Sequence, residues 1–479
     1  MSDQGEKRTF RTPKGTRDFF PETLLKRRYI TETWRRVALR HGFDEIDGPT
    51  FEHLDLYTVK SGEGIVSELF SFTRHGGEET YALRPEFTPT LARMYAARAK
   101  QLPVPTKWFC IPTFYRAERP QRGRLREFLQ WNVDILGPSQ DQQQSQEFST
   151  HLFSQEAELI SLATDSLENF GLKPRDLQVH INHREWFNFL IFLHKISKDT
   201  DGVMRLLDAA KKIGRDSFQK ELLAVTNNAA FVEKCVDYIF DSDGIQLASE
   251  EAAKSYGIDP KNFETIPDYV PHTLDVLYEV LRSHDLLTWT TFDHSIVRGL
   301  AYYTGTVFEV IAEGERAVAG GGRYDGLVEL LGGPPTPAVG FAMGDVVLAN
   351  LLEDKGLMPE GAALLEALDQ PVPTRCEAFV ISNGSEGAEE TLPRVLAELR
   401  RGERAAGAKP WEYVRRPIHA RRSYKATRNV GKLLKDASAV FARFAVILED
   451  GEVATVRDLD TREEWSGVGL GEIWEKIAR

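Results

Sequence analysis

The chain has 479 residues, of which 42% are hydrophobic and 28% are charged, and its formal net charge is −12. This length exceeds what one compact core usually supports, and the composition is that of an ordinary globular protein, so we expect two or three domains. The negative charge argues against a protein that coats nucleic acid, but it leaves open a nucleic acid bound at a local basic patch.

The N-terminus and the cysteines indicate a cytoplasmic protein. The first residues are polar and lack the apolar segment of a signal peptide, and no apolar run approaches the ~18 residues that a membrane span requires. Cys110, Cys235 and Cys376 are far apart and match neither a disulfide framework nor a zinc site. We therefore predict a reducing, cytoplasmic setting, no membrane partner and no metal-binding residues.

In chain order, the first part mixes helical and strand patterns. The segment LLKRRYITETWRRVALRHGF (24–43) has apolar residues at helical spacing, and Gly42 is expected to end this helix. The segments KWFCIPTFYRAE (107–118) and LREFLQWNVDILG (125–137) are typical of two strands, and Pro120 and Gly123 between them favour a turn. A mainly helical stretch follows.

Strand character returns at GTVFEVIA (305–312), and we expect the glycine-rich AVAGGGRYDGL (317–327) after it to be a loop. Residues 356–373 carry proline and glycine and are typical of a linker. Strand and helix patterns then alternate, with a strand predicted at WEYVRR (411–416). Residues 374–479 are therefore predicted to form a small α/β domain with a mixed or parallel sheet.

The segment 114–136 combines five arginines and three acidic residues with large apolar side chains. One explanation is an exposed hairpin whose charges keep an edge soluble, because buried charges are costly unless paired. However, Arg116 and Glu118 would share one face of a strand, and Phe128 and Gln130 would share one face of the next. Guanidinium groups beside an aromatic surface suit a ligand with phosphates and a flat base.

This segment resembles motif 2 of the class II aminoacyl-tRNA synthetases, in particular the histidyl-tRNA synthetase family, whose motif reads roughly RxERPQxGRxRxFxQ. Other segments resemble landmarks of that family in the same order: PKGTRDFFPE, GPTFEHLDLY (motif 1), LRPEFTPTLARM, VRGLAYYTGTVFE and GGGRYDGLVELLGG leading into motif 3. The resemblance covers essentially the whole chain and is weakest at about 195–285.

The resemblance implies an α/β architecture in two parts. Residues 1–355 would form the α+β class II catalytic domain, an antiparallel sheet with flanking helices and a helical insertion at about 195–285. Residues 374–479 would form an α/β anticodon-binding-like domain after the 356–373 linker. Since motif 1 builds the subunit interface in this family, a homodimer is expected.

The implied function is the ATP-dependent attachment of L-histidine to tRNA-His through histidyl-adenylate, with Mg²⁺ as a partner of the ATP phosphates. By match to the family motifs, the catalytic cations at the α-phosphate are Arg116 and Arg298. The implied ATP-binding residues are Arg116 at the α-phosphate, Glu118 and Phe128 at the adenine, and Arg124 at the outer phosphates. The implied histidine-binding residues are Glu86, Thr88, Gln130, Asp134, Tyr302 and Tyr303.

Two positions depart from the family pattern. Motif 3 normally ends in an arginine that binds the ATP γ-phosphate, whereas MGDVVLANLL places Val347 there. The histidine signature of the family usually contains an aspartate, and this chain has Ala301 at that position. Either the enzyme is inactive, or the chain resembles a plant-organelle-like branch of the family with GLAYY and a GD-containing motif 3. In the second case Arg124 or Arg323 is expected to carry more of the phosphate charge.

The segment 415–435 contains eight arginines and lysines and no acidic residue. Such a run is often a solvated helix face, but in a terminal α/β domain it favours contact with an RNA backbone, and Trp411 and Tyr413 are candidate stacking platforms.

Three functions remain open: a working synthetase, a regulatory subunit of ATP phosphoribosyltransferase, and a sensor of uncharged tRNA. Arg116, Arg298 and the basic C-terminal region argue against the second, whereas Val347 and Ala301 keep the third open.

Overall fold

The computed structural model describes residues 10–61, 68–138, 153–197, 199–241, 269–293, 296, 303–313, 316–370, 375–425 and 427–478. Arg298, Ala301 and Tyr302 lie outside these residues. Within these ranges, no helix is long and apolar enough to cross a membrane.

The described strands are β1 (Asp44–Glu45), β2 (Phe51–His53), β3 (Ser71–Thr73), β4 (Thr80–Leu83), β5 (Thr106–Cys110), β6 (Thr113–Tyr115), β7 (Glu127–Leu136), β8 (Gln178–His183), β9 (Thr290–Phe292), β10 (Thr306–Ile311), β11 (Ala319–Arg323), β12 (Ala338–Gly344), β13 (Ala378–Ser382), β14 (Ala420–Arg422), β15 (Phe444–Leu448), β16 (Val453–Asp458) and β17 (Glu464–Gly469). The described α-helices are α1 (Pro21–Arg40), α2 (Asp55–Ser61), α3 (Thr88–Arg98), α4 (Ser154–Asn169), α5 (Arg184–Leu193), α6 (Thr200–Ile213), α7 (Arg215–Thr226), α8 (Ala229–Val236), α9 (Tyr269–Ser283), α10 (Leu327–Leu330), α11 (Asp345–Asp354), α12 (Gly361–Leu368), α13 (Glu386–Arg401), α14 (Val430–Ala439) and α15 (Ile473–Ile477).

A large sheet forms the centre of the N-terminal part. Among the described residues it contains nine strands in the order β1-β5-β7-β12-β11-β10-β8-β9, with β6 paired to β7. The β1–β5 and β8–β9 pairs are parallel and the remaining pairs are antiparallel. The predicted antiparallel sheet with flanking helices is therefore present. A separate small sheet has the order β2-β4-β3.

The glycine-rich segment predicted to be a loop is instead the central strand β11, between β10 and β12. A Cβ atom on Gly322 would lie 2.6 Å from the Thr306 carbonyl oxygen and 3.0 Å from the Tyr303 ring. The strand can run beneath that ring only without a side chain. Glycine weakens an isolated strand, but here two flanking strands hold the backbone in place.

Helix α1 lies against the large sheet, as its apolar spacing predicted. Pro21 occupies its first turn, where a missing N–H costs nothing, and Gly42 after its end has φ +75°. Trp34 is fully buried and stacks on Trp131 of β7, with ring centroids 5.8 Å apart and an interplanar angle of 16°. This contact fixes α1 behind the strand that carries the predicted site residues.

The helices α5–α8, in the region of the predicted insertion, have their own core. Phe187, Phe218 and Phe231 are each buried in it. Residues 242–268 of the predicted insertion lie outside the described part of the chain.

The predicted linker contains helix α12, which corrects the expectation of a simple connection. Leu364 and Ala367 are buried in the same core as α1. Arg36 of α1 donates to the carbonyl oxygens of Ala367 and Gln370 at 3.4 Å each. The segment folds back because its apolar residues at helical spacing have a neighbouring surface to cover.

The C-terminal unit, residues 375–478, contains a mixed sheet in the order β14-β13-β15-β16-β17. Strands β14, β13 and β15 are parallel, and β16 and β17 are antiparallel to their neighbours. The predicted strand 411–416 is wrong, because the edge strand is Ala420–Arg422. Trp411 and Tyr413 instead pack on the N-terminal part: the Trp411 ring lies 6.2 Å from the Tyr29 ring, and the Tyr413 hydroxyl donates to Asn169 Oδ1 at 2.7 Å.

Candidate active site

A cavity of about 410 Å³ lies on the large sheet where β7, β10, β11 and β12 meet the turn between β6 and β7. This volume is in the range of small-molecule sites. The structure brings the following predicted site residues to its wall: Glu86, Thr88, Arg116, Arg124, Phe128, Gln130, Asp134 and Tyr303. The chemical roles assigned to them stay predictions.

Arg116 lines the cavity beside Phe128. Strand β6 ends at Tyr115, so Arg116 and Glu118 do not share a strand face as predicted. The Arg116 Nε atom donates to the Pro85 carbonyl oxygen at 3.1 Å, and its guanidinium carbon lies 5.2 Å from the centroid of the Phe128 ring. These contacts fix the orientation of the guanidinium group toward the cavity.

The turn between β6 and β7 is tight, as Gly123 predicted. Gln121 and Arg124 exchange backbone hydrogen bonds, and Gly123 has φ +74°. The Arg124 guanidinium forms an ion pair with the Glu118 carboxylate. Glu118 does not line the cavity. Glu118 therefore orients Arg124 in this structure, and its contact with adenine stays a prediction.

Asp134 forms one end of the cavity and is only 5% exposed. It accepts a hydrogen bond from the Tyr324 hydroxyl, which sequence reasoning missed because a tyrosine after a glycine run has no distinctive signature. Asp134 is the register partner of Gly340 on β12. A side chain on Gly340 would collide with the Asp134 carboxylate, so this glycine keeps the acidic end of the cavity open.

Arg323 is not a phosphate-binding residue in this structure, which corrects the prediction. Its Nε and Nη2 atoms contact the two carboxylate oxygens of Glu156 at 2.6 and 2.8 Å, and its Nη1 atom donates to Asp325 at 3.2 Å. Arg323 is absent from the cavity wall. Burial would lower the pKa of this guanidinium, but Glu156 raises it, so the pair is an internal ion pair.

Asp345, in the motif 3-like turn, ties three segments together. It is 2% exposed and accepts hydrogen bonds from Arg17 Nη2 at 2.7 Å and from the Leu129 N–H at 2.9 Å. Burial raises the pKa of its carboxyl group, and the Arg17 guanidinium opposes that change. Val347 follows it on α11 and lines the cavity. The sequence identified Val347 as a departure but gave no role to Asp345.

Among the residues that the structure describes, no group of three or more histidine, cysteine, aspartate or glutamate side chains could hold a metal ion. Glu309 of β10 is a carboxylate in the cavity wall. This arrangement fits a Mg²⁺ ion that is bound mainly by substrate phosphates and water, with at most one or two carboxylates of the protein.

A largely antiparallel sheet with an arginine-bearing hairpin and a cavity on its surface is the architecture of a class II aminoacyl-tRNA synthetase. Solved structures share this fold. The crystal structure of histidyl-tRNA synthetase from Nostoc sp. PCC 7120 covers 99% of this chain and 100% of its own, with a TM-score of 0.57 and 22% identity. An ATP phosphoribosyltransferase regulatory subunit/histidyl-tRNA synthetase from Bacillus halodurans C covers 93% and 99%, with a TM-score of 0.55 and 21% identity.

Sequence comparison defines the family. The family model described as histidyl-tRNA synthetase matches residues 15–345. The histidine--tRNA ligase of Opitutus terrae is 36% identical over 467 residues, which are 95% of this chain and 95% of that protein. The chain belongs to the histidyl-tRNA synthetase family. The predicted family and fold class are confirmed, whereas the GLAYY segment falls largely outside the described residues.

Proposed function

We propose that the chain activates L-histidine with ATP and transfers it to tRNA-His. The observation that carries this proposal is the cavity itself, which has cations and an aromatic ring on one side and a carboxylate held by a tyrosine at one end. That division suits a nucleotide beside a small amino acid with a polar ring. A relative that matches 95% of the chain is named histidine--tRNA ligase, which supports the same reaction.

In the first step, a carboxylate oxygen of histidine attacks the α-phosphorus of ATP, and the bond to the β-phosphate oxygen breaks to release pyrophosphate. Arg116 would neutralise charge on the α-phosphate as it develops, and Phe128 would offer its ring to adenine. Because the Pro85 carbonyl and the Phe128 ring already orient Arg116, little reorganisation is needed when the charge appears. Arg298 is proposed, from the family motif alone, as a second cation at the same phosphate.

Asp134, Gln130 and Tyr303 would bind the imidazole, and Glu86 and Thr88 the amino group. The imidazole carries both a donor and an acceptor nitrogen, and a buried carboxylate with a neighbouring amide can serve both. A site built from such groups discriminates strongly against ligands that leave them unpaired, by up to about 10⁴–10⁵-fold. When bound with ATP, Mg²⁺ would neutralise phosphate charge, and Glu309 is the cavity carboxylate suited to contact it.

The tRNA would contact the exposed part of the basic segment 415–435. Many of its cations are occupied within the protein: Arg416 pairs with Glu377, Arg421 with Asp44, and Lys425 with Asp436. The exposed basic residues for which the described chain shows no ion pair are Arg428, Lys432 and Lys435. They lie on or next to helix α14, and the proposal assigns the RNA backbone to them.

We further propose a cytoplasmic homodimer, built on the small sheet that carries the motif 1-like segment. Phe51 is 48% exposed and Phe72 43% exposed, and their ring centroids lie 5.7 Å apart. Tyr81 joins them with its centroid 5.6 Å from that of Phe51. An exposed aromatic cluster of this kind favours burial against a second subunit.

Histidine-dependent exchange of labelled pyrophosphate into ATP, followed by charging of tRNA-His, tests the proposal. The unmodified protein should perform both reactions, and Arg116→Ala should lower the exchange rate by about 10²–10³-fold, corresponding to about 3–4 kcal/mol of transition-state stabilisation. Arg394→Ala, which removes an exposed cation on α13, is the matched control and should leave the rate unchanged.

The other two candidate functions give different outcomes. Exchange without charging would indicate altered RNA recognition. Absence of both reactions would refute the proposed enzyme and favour a regulatory subunit or a sensor of uncharged tRNA. The likeness to the Bacillus halodurans protein, at 21% identity, concerns the fold and does not favour the regulatory function.

A further inference from the structure

Arg316 reaches the cavity from the connection between β10 and β11, a segment to which the motifs assign no role. Its side chain is half-buried and lies in the cavity wall, together with Val318, Val346 and Val347. Arg316 is thus a cation that lines the cavity together with these apolar side chains.

The position of Arg316 coincides with the region from which the motif 3 arginine is missing. A methyl group placed on Gly123 would lie 3.2 Å from Cγ2 of Val347 and 3.5 Å from Cδ of Arg316. Both side chains therefore pack against the same turn, the one that also carries Arg124. An arginine side chain at position 347 would enter the part of the cavity beside Gly123, which the aliphatic part of the Arg316 side chain also borders.

Arg316 also differs from its charged neighbours in its contacts. Arg124 is paired with Glu118, Arg122 with Asp354 and Arg323 with Glu156. Across the described part of the chain, the structure shows no hydrogen bond or ion pair for Arg316. A guanidinium group beside apolar side chains requires an anion or water as a partner, and phosphate offers bidentate hydrogen bonds.

We propose that Arg316 binds the β- and γ-phosphates of ATP, and so supplies from the β10–β11 connection the charge that the motif 3 arginine supplies elsewhere in the family. The inference rests on the proposed function, since it presumes that ATP occupies this cavity. Arg116 would then act at the α-phosphate, while Arg316 holds the pyrophosphate leaving group from the other side of the turn. The small Val347 side chain leaves room for this second route to the phosphates.

Equilibrium binding of ATP and AMP to Arg316→Ala, measured by isothermal titration calorimetry, tests this assignment. The affinity for ATP should fall on the order of 10- to 100-fold, because the variant cannot form the charge-assisted hydrogen bonds to phosphate, whereas the affinity for AMP should not change. In the exchange assay the ATP KM should rise or kcat should fall, with the histidine KM preserved. Arg316→Gln, which keeps much of the side-chain length without the charge, should behave like the alanine variant.

Relocating the charge gives a second readout. In the double variant Arg316→Ala/Val347→Arg, the guanidinium comes from motif 3 instead, and the ATP affinity should recover at least in part. Arg394→Ala is the matched control, and circular dichroism verifies the fold of each variant.

The assignment is overturned if Arg316→Ala binds ATP as the parent does, or if ATP and AMP lose affinity equally. If the parent protein performs no histidine-dependent exchange, the proposed function fails, but the comparison of ATP with AMP still decides the role of Arg316.

Discussion

Glu158→Gln is predicted to be a severely destabilising substitution, because this carboxylate compensates two buried cations between the N-terminal part and the C-terminal unit. Lys107 Nζ lies 2.6 Å from Glu158 Oε1, and Arg400 Nη1 lies 3.2 Å from the same atom. The Tyr424 hydroxyl donates to Oε2 at 2.6 Å. Burial alone would raise the pKa of Glu158, but the two cations lower it, so the group is ionised at neutral pH.

The magnitude follows from the charge that remains. All three side chains of the ion cluster are at most 8% exposed. With glutamine at 158, the Arg400 guanidinium stays buried without a counter-ion. Lys107, whose pKa burial lowers to about 7 even beside Glu158, must give up its proton. Breaking a buried pair in this way costs about 3–5 kcal/mol. Lys107→Met removes hydrogen bonds to His41 O and Tyr424 but leaves Glu158 paired with Arg400, so we expect only about 1–3 kcal/mol.

Urea unfolding followed by circular dichroism and by tryptophan fluorescence, together with limited proteolysis between the two parts, measures the effect. Glu366→Gln, which breaks an exposed ion pair with Lys409, is the matched control and should change stability little. Glu158→Gln should also reduce tRNA charging more than pyrophosphate exchange, because the cavity is untouched. The reasoning is refuted if Glu158→Gln costs no more than the control, or if Lys107→Met costs more than Glu158→Gln.

Two further predictions concern protonation and RNA binding. Burial lowers the pKa of His183 from 6.5 to about 4. Between these pH values the unfolded chain binds a proton at this histidine and the folded chain does not. The contribution of His183 to stability is therefore complete above pH 6.5 and falls by up to about 3 kcal/mol toward pH 4. Unfolding midpoints of His183→Gln across this pH range should show a smaller acid loss than the parent, whereas exposed His75→Gln should match the parent. Alanine at Arg428, Lys432 or Lys435 should weaken tRNA-His binding. In filter binding, the slope of log K against log salt should fall by about 0.7–0.9 for each phosphate that the variant no longer neutralises. Lys355→Ala is the control, and an unchanged slope in the three variants would contradict the assigned RNA surface.

The sequence predicted the elements whose pattern is local. The apolar spacing and the glycine boundary predicted a helix within residues 24–43, and the structure has α1 at Pro21–Arg40. The turn at Gly123 was also predicted, because its positive φ is a property of the turn itself. These features depend on neighbours along the chain, so one sequence is enough to find them.

Features set by distant neighbours were not predictable in this way. Strand β11 has no strand propensity of its own and forms because β10 and β12 hold it and the Tyr303 ring covers it. Helix α12 lies in a segment whose composition predicts a linker, because the surface that the helix covers belongs to α1, far back in the sequence. In both cases tertiary packing overrides local preference.

The same distinction applies to the charges of the candidate site. Family motifs placed Arg116, Phe128 and Asp134 in one site, and all three line the cavity. Phe128 and Asp134 lie on β7, and Arg116 directly follows β6, which pairs with β7. The motifs did not separate the arginines that face the cavity from those paired with internal partners. The sequence predicted that Arg323 could bind phosphate, but Arg323 forms an ion pair with the buried carboxylate of Glu156. Glu156 lies on α4, far from Arg323 in the sequence.

In the motif 3-like turn, the contacts of Asp345 and the small side chain of Val347 make physical sense together. Asp345 contacts Arg17 and the Leu129 backbone, so it fixes the turn to the N-terminal segment and to β7. With the backbone anchored this way, the cavity-facing position two residues later is free to be small. Val347 then leaves open the space beside Gly123 that Arg316 borders. A missing arginine in one strand–helix turn is thus compatible with an intact phosphate site, because the cavity fixes where a positive charge is needed but not which segment supplies it.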